Sequence, residues 1–155
     1  MARGRAVGEA ARMWGLGDDV TIDEVAFGWV GWTDVNRSPR ILDLSWGRME
    51  VEGLGVAKDF KLFPGGGRLW DWSLSGTQHE PGILRRDVDD LLNNSATVIV
   101  LAQGMEQLLQ VPRSTIEYLE ERSIEVHVAP TREAVRIYNE LAETAMVGGL
   151  FHSTC

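Results

Sequence analysis

Apolar and polar residues alternate from residue 39 onward, and this alternation predicts short strands in the front half of the sequence. Apolar residues on either side of Gly47 predict two strands joined by a turn, namely Ile41, Leu42, Leu44, Trp46, Met49 and Val51. A third strand is predicted at residues 60–63, ended by the Pro-Gly-Gly-Gly turn at residues 64–67. Residues 69–74 predict a fourth strand, so this half is expected to form a β-meander.

Helical and strand patterns alternate in the back half. Residues 88–92 have the spacing of one helix face, and residues 97–102 form a nearly continuous apolar run. Such a run is typical of a strand that is buried on both faces of a sheet. Further strands are predicted at residues 124–128 and 147–152.

Two more helices are predicted from the residues that open them. Ser114 and Glu117 have the spacing of a capping box for a helix over residues 115–121, and Thr131 is the expected N-cap of the next helix. Alternation of helices with strands implies parallel pairing and right-handed crossovers. The expected fold class is therefore α/β, with a central mixed β-sheet, flanking helices and an N-terminal β-meander.

Residues 1–37 differ from the rest because they are rich in Gly and Ala and show no sustained period. They carry Trp14, Trp29 and Trp32, and we interpret them as a partly ordered or disordered extension of a domain at 38–155. Arginines near the start resemble a mitochondrial presequence, but the lack of Ser and the early acids disfavour import. A mitochondrial location is therefore the minor alternative to a cytoplasmic one.

Composition excludes several classes of function. The formal net charge of −8 opposes nucleic-acid binding, which requires a stripe of Lys and Arg that neutralises phosphates. No apolar run approaches the roughly 20 residues needed to span a bilayer, so no membrane partner is expected. The single cysteine, Cys155, excludes an internal disulfide and a four-cysteine metal site, and it fits a reducing compartment.

Arg68, His79 and Gly104 are the candidate residues of a ligand pocket for a small anionic metabolite. Arg68 follows the glycine turn, and its guanidinium requires a carboxylate, a carbonyl or a bound anion as partner. An ion pair with Asp71 or Asp59 is the structural alternative for Arg68.

Gly104 lies between the buried strand and a helix expected to begin near Met105, which is the position of an anion site at a helix N-terminus. Glu106 in the first turn of that helix would satisfy the helix dipole and repel a phosphate. The turn at residues 64–67 does not match a phosphate-binding loop. Such a loop needs a Lys and a Ser or Thr after its glycines and then a helix, whereas a strand is expected after this turn.

Three tryptophans of the domain, Trp46, Trp70 and Trp72, are either a stacking platform or core residues. Trp70 and Trp72 would share one strand face at a spacing of two, which favours core packing. Each side chain would then bury about 150–250 Å².

The histidines and the cysteine do not form a complete metal-binding or catalytic motif in the sequence. His79, His127 and His152 lie on predicted strands or loops without the helical spacing of a metal motif, so they are expected to be structural. Cys155 with His152 suggests a nucleophile and a base, but the last residue is expected to be frayed and no third group is seen to orient the pair. No metal and no cofactor are expected.

Several short strings, taken in order, resemble a known family. They are Leu44-Ser45-Trp46-Gly47, Lys58-Asp59, Pro64-Gly65-Gly66, Trp70-Asp71-Trp72, Gly76-Thr77, Pro81-Gly82, Val111-Pro112, Glu117-Tyr118-Leu119, Tyr138-Asn139 and Phe151-His152-Ser153-Thr154-Cys155. Together they resemble the adipogenesis-associated Mth (nine-three-eight) domain-containing protein family. The resemblance implies a three-layer α/β fold, a mostly cytoplasmic location and a role in preadipocyte differentiation, with no established catalytic residues.

Two classes of function follow from these patterns. The leading hypothesis is a non-enzymatic interaction or regulatory protein that acts through protein partners, because no complete catalytic site accompanies the resemblance. The alternatives are a binder of a small anionic metabolite, a weak enzyme, or a protein like the mitochondrial relative that assists complex I assembly. The sequence leaves the oligomeric state open.

Overall fold

The structure is a computed structural model that describes residues 36–155, of which residues 37–155 form one compact unit. The strands are β1 (Ile41–Ser45), β2 (Arg48–Val51), β3 (Gly55–Ala57), β4 (Asp59–Phe63), β5 (Gly66–Leu69), β6 (Val98–Ala102), β7 (Glu125–Ala129) and β8 (Val147–His152). The helices are α1 (Trp72–Ser75), α2 (Arg85–Asn93), α3 (Arg113–Glu120) and α4 (Thr131–Leu141). The predictions for Trp14, Trp29 and Trp32 lie outside the described residues.

The strands form two sheets. Strands β1, β2 and β3 make an antiparallel three-stranded sheet, while the second sheet has five strands in the order β5-β4-β8-β6-β7. In the five-stranded sheet β6 pairs parallel with β7 and β8, whereas β4 pairs antiparallel with β5 and β8. The mixed sheet with flanking helices predicted from the sequence is confirmed. The meander divides between the sheets, since its later strands join the five-stranded one.

Strand β6 shows why the sheet is covered on both sides. All five of its residues are buried, as the continuous apolar run predicted. Val98 and Val100 face a core that includes Met49, Tyr138 and Phe151, and so lies under α4 and the small sheet. Ile99 and Leu101 face the opposite core, which contains residues of α2 and α3. Full burial of such side chains contributes about 1.5–3 kcal/mol each, so this strand joins the two cores of the three-layer fold.

The fourth strand predicted over residues 69–74 is wrong beyond its first residue. Strand β5 ends at Leu69, and α1 follows after two residues. The break occurs because the Asp71 carboxylate accepts hydrogen bonds from the Ser73 amide at 2.9 Å and from the Ser73 hydroxyl at 2.6 Å, which caps the helix. Trp70 and Trp72 therefore do not share a strand face.

The tryptophans differ in burial as a result. Trp70 is in the core, Trp72 is partly buried, and Trp46 is 56% exposed in the turn after β1. The prediction of core packing is thus correct for Trp70 and wrong for Trp46. The indole of Trp72 remains available for the site described below.

The predicted caps of α3 and α4 are wrong, because neither the Ser114 hydroxyl nor the Thr131 hydroxyl caps its helix. Pro112 and Pro130 are the N-cap residues, and neither makes a side-chain cap. The Thr131 hydroxyl instead donates to the carbonyl of His152 at 2.7 Å, which ties α4 to the end of β8. Among the described residues, no helix combines the length and apolar character needed to cross a bilayer.

Candidate functional site

A cleft of about 600 Å³ opens beside the paired ends of β4 and β8 and the segment that leads from β5 into α1. Its walls are largely apolar and aromatic, and they include Leu69, Trp70, Trp72, His79, His152 and Cys155. Ligand clefts typically enclose about 300–1,000 Å³ and combine apolar walls with a few converging polar groups. The cleft has both properties.

The antiparallel register of β4 and β8 places Asp59 directly opposite His152. His152 Nδ1 lies 2.9 Å from an oxygen of the Asp59 carboxylate, and the two side chains are only 3% and 9% exposed. Because an ionised carboxylate only accepts hydrogen bonds, this contact assigns the proton of the neutral imidazole to Nδ1. The other nitrogen, Nε2, lies 3.2 Å from the Thr154 hydroxyl and in this tautomer accepts a hydrogen bond from it.

Three aromatic rings pack together at the floor of the cleft. The Trp72 indole lies over the His152 imidazole with ring centroids 4.6 Å apart, and it meets His79 edge-on at 5.3 Å. The two imidazoles are 5.6 Å apart. Among residues 36–155, neither Trp72 Nε1 nor His79 Nε2 has a hydrogen-bond partner, although both atoms are buried. Such groups cost about 1–3 kcal/mol each when they are left unsatisfied.

The segment after β8 is held in place by the loop after β6. The Met105 amide donates to the Thr154 carbonyl at 2.9 Å, and the Leu108 amide donates to the Cys155 carbonyl at 3.0 Å. Turns replace the helix that was expected near Met105, and the amides considered for an anion site bind these carbonyls instead. Cys155 is thereby fixed at the cleft, in contrast to the frayed residue expected.

Gly104 allows the backbone after β8 to lie close to the loop after β6. Its φ is +92°, and a Cβ at this position would lie 2.7 Å from the carbonyl carbon of Cys155. Gly104 does not itself line the cleft. It lets the backbone of Thr154 and Cys155 pass at van der Waals distance, and so it positions the thiol indirectly.

A Gly104→Ala substitution should therefore change the environment of the Cys155 thiol. We expect faster modification of the thiol by a disulfide reagent, because the methyl group pushes Cys155 away from the loop. Gly76→Ala is the matched control, since Gly76 has a similar φ of +80° and nothing within 4 Å of an added Cβ. If both variants leave the rate of thiol modification unchanged, the contact does not position Cys155.

The cleft brings together side chains that the sequence scatters. One ring nitrogen of His79, one ring nitrogen of His152 and the Cys155 sulfur all lie within 4.8 Å of one another. His127 lies apart on β7, where its Nε2 is 2.6 Å from the Glu125 carboxylate. Asp59 is the third group that sequence reasoning did not find beside Cys155 and His152. In the sequence it stood out only in the Lys58-Asp59 string and as a possible partner of Arg68, because the strand register that brings it to His152 is not local.

Arg68, the first candidate for binding an anionic ligand, does not line the cleft. Its guanidinium lies 4.0 Å from the Asp90 carboxylate and 5.7 Å from the centre of the Phe63 ring, and the side chain is 58% exposed. The ion pair expected with Asp71 or Asp59 is thus made with Asp90. Lys61, only 12% exposed, binds the same carboxylate at 3.0 Å.

An Arg68→Gln substitution should lower the free energy of unfolding by no more than about 0.5–1 kcal/mol, the range of exposed ion pairs. Lys61→Gln should lower it more, because the Lys61 side chain is nearly buried and its hydrogen bond to Asp90 is short. Urea unfolding of both variants measures the difference. A larger loss for Arg68→Gln than for Lys61→Gln would contradict the assignment.

The mouth of the cleft carries both signs of charge. Lys58 and Asp71 both line it. Hydrogen bonds from the Ser73 hydroxyl and amide lower the pKa of the Asp71 carboxyl below its usual value, so this group stays negative at neutral pH. The cleft therefore lacks the concentrated positive charge of a phosphate site.

Comparison with known proteins assigns the fold and the family. The chain is similar to a conserved hypothetical protein of Pyrococcus horikoshii with 21% identity, a TM-score of 0.65 and coverage of 75% of this chain and 99% of that one. It is similar to an outer membrane protein from Bartonella henselae with 24% identity, a TM-score of 0.62 and coverage of 79% and 100%. A Bordetella pertussis protein, described as a Mth938-like domain, has 16% identity, a TM-score of 0.59 and coverage of 81% and 90%.

These likenesses establish a Mth938-like α/β fold. Residues 41–152 match the family described as a protein of unknown function (DUF498/DUF598), and the chain belongs to this family. The matched range contains Asp59, Trp72, His79 and His152. Cys155 lies beyond it.

Proposed function

We propose that this domain binds a small molecule in the cleft beside Trp72, His79 and His152. The observation that carries the proposal is the pair of buried nitrogens, Trp72 Nε1 and His79 Nε2, that lack partners among the described residues in the wall of a ligand-sized cleft. A ligand that enters between these rings would satisfy them. Unpaired buried groups of this kind make a site discriminate strongly in favour of ligands that complete their hydrogen bonds.

The chemistry of the walls narrows the ligand class. An indole N–H only donates, so the ligand must bring an acceptor to Trp72. The stacked rings favour a planar, apolar body, while Lys58 supports a single negative charge. Asp71 and the net charge of −8 oppose a polyphosphate. A small aromatic carboxylate satisfies all of these conditions, and naphthoate is a suitable probe.

Binding of naphthoate should raise the thermal midpoint of the full chain, because a ligand that binds only the folded state stabilises it by mass action. Cyclohexanecarboxylate, which has the charge without the flat ring, should give a smaller shift. Trp72→Phe keeps a ring but removes the N–H, so it should weaken binding by about 3- to 10-fold, the effect of one net hydrogen bond.

Trp46→Phe is the matched control for this experiment. Trp46 is exposed in a turn and does not line the cleft, so its substitution should leave the shift intact. The proposal fails if naphthoate and related aromatic carboxylates give no shift. It also fails if Trp46→Phe abolishes the shift while Trp72→Phe preserves it.

A second candidate function is an interaction with a protein partner, as the resemblance to adipogenesis-associated proteins implies. Exposed apolar side chains on the three-stranded sheet and its turns favour it; they are Leu42, Trp46, Leu54 and Val56, with exposures of 56%, 56%, 37% and 50%. The resemblance supports placing such an interaction in the cytoplasm and in preadipocyte differentiation.

The interaction is tested by proximity labelling in differentiating preadipocytes. A specific partner should be lost with Trp46→Ser and kept with Leu74→Ser, a control at another highly exposed apolar position. Equal labelling with both variants would contradict a role for this surface.

A further inference from the structure

Among the described residues, three metal-ligating side chains converge in one cluster, namely His79, His152 and Cys155. We propose that these three side chains bind a borderline divalent cation, Zn²⁺, at the floor of the cleft. This metal site goes beyond the proposed ligand binding, which uses Trp72 Nε1 and the His79 ring but neither Cys155 nor Asp59. Three observations carry it: the convergence of the donors, the orientation of His152 by Asp59, and the unpartnered nitrogen of His79.

The donor types select the metal. Two imidazole nitrogens and one thiolate match Zn²⁺ and its spectroscopic substitute Co²⁺, whereas Mg²⁺ and Ca²⁺ require oxygen ligands. Asp59 is not one of the converging donors, and its Oδ1 binds His152 Nδ1 and the Ser153 amide.

The distances allow the three donors to close on one ion. Their donor atoms lie within 4.8 Å of one another. Zinc bonds of about 2.0–2.3 Å at tetrahedral angles place such atoms roughly 3.3–3.6 Å apart. Closing the cluster thus requires shifts of about 1 Å, which side-chain rotation of Cys155 and His79 supplies.

Asp59 prepares His152 for coordination. A histidine that binds a metal commonly donates its other ring N–H to a carboxylate, which fixes the tautomer and raises the basicity of the ligand nitrogen. The contact of 2.9 Å between His152 Nδ1 and Asp59 has this arrangement, and it makes Nε2 the nitrogen with the lone pair. A metal ion at Nε2 would displace the Thr154 hydroxyl, which lies 3.2 Å away. Asp59 is therefore a positioning residue for the metal.

His79 is the group that the metal would satisfy. Its Nε2 is buried and lacks a partner among residues 36–155, whereas its backbone carbonyl is fixed by the Gln110 amide at 3.0 Å. Three protein ligands leave a fourth position for a water molecule or a ligand carboxylate, the arrangement of catalytic rather than structural zinc sites.

The test is a titration of the full chain, reduced and freed of metal, with Co²⁺ followed by competition with Zn²⁺. We expect one equivalent to bind and to produce the thiolate-to-cobalt charge-transfer absorption with the visible bands of a four-coordinate ion. Cys155→Ser should abolish the charge-transfer band, and His79→Gln should weaken Co²⁺ binding by at least 10-fold. Asp59→Asn, which removes the carboxylate that orients His152, should weaken Co²⁺ binding by about 10- to 100-fold.

His127→Gln is the matched control, since His127 is the histidine of the described residues that lies outside the cluster. It should leave the Co²⁺ spectrum and affinity unchanged, and circular dichroism should confirm that every variant is folded. The proposal is overturned if the wild-type chain shows no charge-transfer band, if Cys155→Ser retains the band, or if His127→Gln removes it.

Failure of the metal site is distinguishable from failure of the proposed function. Naphthoate binding is measured on the metal-free chain, where it depends on Trp72 and not on Cys155. A thermal shift with naphthoate without a Co²⁺ charge-transfer band would refute only the proposed metal site. A Co²⁺ charge-transfer band without a thermal shift by naphthoate would refute only the proposed binding of an aromatic ligand.

Discussion

Replacing Asp87 by Ala should lower the free energy of unfolding by about 3–5 kcal/mol, because hydrogen bonds to a charged group contribute about 1.5–3 kcal/mol each and do not add fully. The Asp87 side chain is completely buried at the start of α2. Its carboxylate accepts from Trp70 Nε1 at 3.1 Å, from the Thr77 hydroxyl at 2.7 Å and from the Leu84 amide at 2.8 Å. The substitution removes this acceptor from the buried donors of Trp70 and Thr77 and from the partly buried Leu84 amide.

Urea unfolding of the variant measures this effect, with Asp43→Ala as the control. Asp43 pairs with Arg48 on the surface and its side chain is 60% exposed, so its loss should change stability by less than about 1 kcal/mol. Because Trp70 lines the cleft, Asp87→Ala should also weaken naphthoate binding. Similar unfolding midpoints for the two variants would contradict the role assigned to the Asp87 network.

Replacing Gly82 by Ala should destabilise the domain by at least about 3 kcal/mol, since it combines backbone strain with a clash that side-chain rotation cannot relieve. Gly82 has a φ of +106°, and an added Cβ would lie 2.0 Å from the carbonyl oxygen of Gln110. The same carbonyl accepts from the Ile83 amide, and the Gln110 amide donates to the His79 carbonyl. Displacing Gln110 therefore also displaces His79.

The control is again Gly76→Ala, which has comparable backbone strain and no clash. It should cost only about 1–2 kcal/mol, the penalty of a left-handed conformation for a residue with a side chain. Thermal unfolding compares the two variants, and naphthoate binding reports on the position of His79. Equal stability of the two variants would show that the loop before α2 adjusts to the added methyl group.

The sequence predicted those parts of the fold that depend on local periodicity. The run at residues 97–102 identified β6, and the pattern at residues 147–152 identified β8, because burial on a sheet is visible in the hydrophobicity of the sequence. The cap predicted at Thr131 was wrong because the Thr131 hydroxyl donates a hydrogen bond to the distant carbonyl of His152 instead. The break after Leu69 was missed because Asp71 caps a helix of a single turn.

The site was predictable only in part, because it is assembled from distant segments. His79 was a candidate pocket residue and lines the cleft, whereas Arg68 and Gly104 do not. Asp59 reaches His152 across 93 residues of sequence through the β4 and β8 register, which no local pattern specifies. Trp72 packs against the core as expected, but its position at the cleft was not predicted because its strand was expected to continue.

The most direct test of the central claim is an NMR titration of the isotope-labelled chain with naphthoate, observing the indole N–H signals of the tryptophans. The Trp72 signal is assigned by its disappearance in Trp72→Phe. We predict that naphthoate shifts this signal downfield in a saturable manner, as an acceptor engages the buried N–H, while the Trp46 signal stays in place. A saturable shift of the Trp46 signal with an unchanged Trp72 signal would contradict the assignment of the cleft as the ligand site.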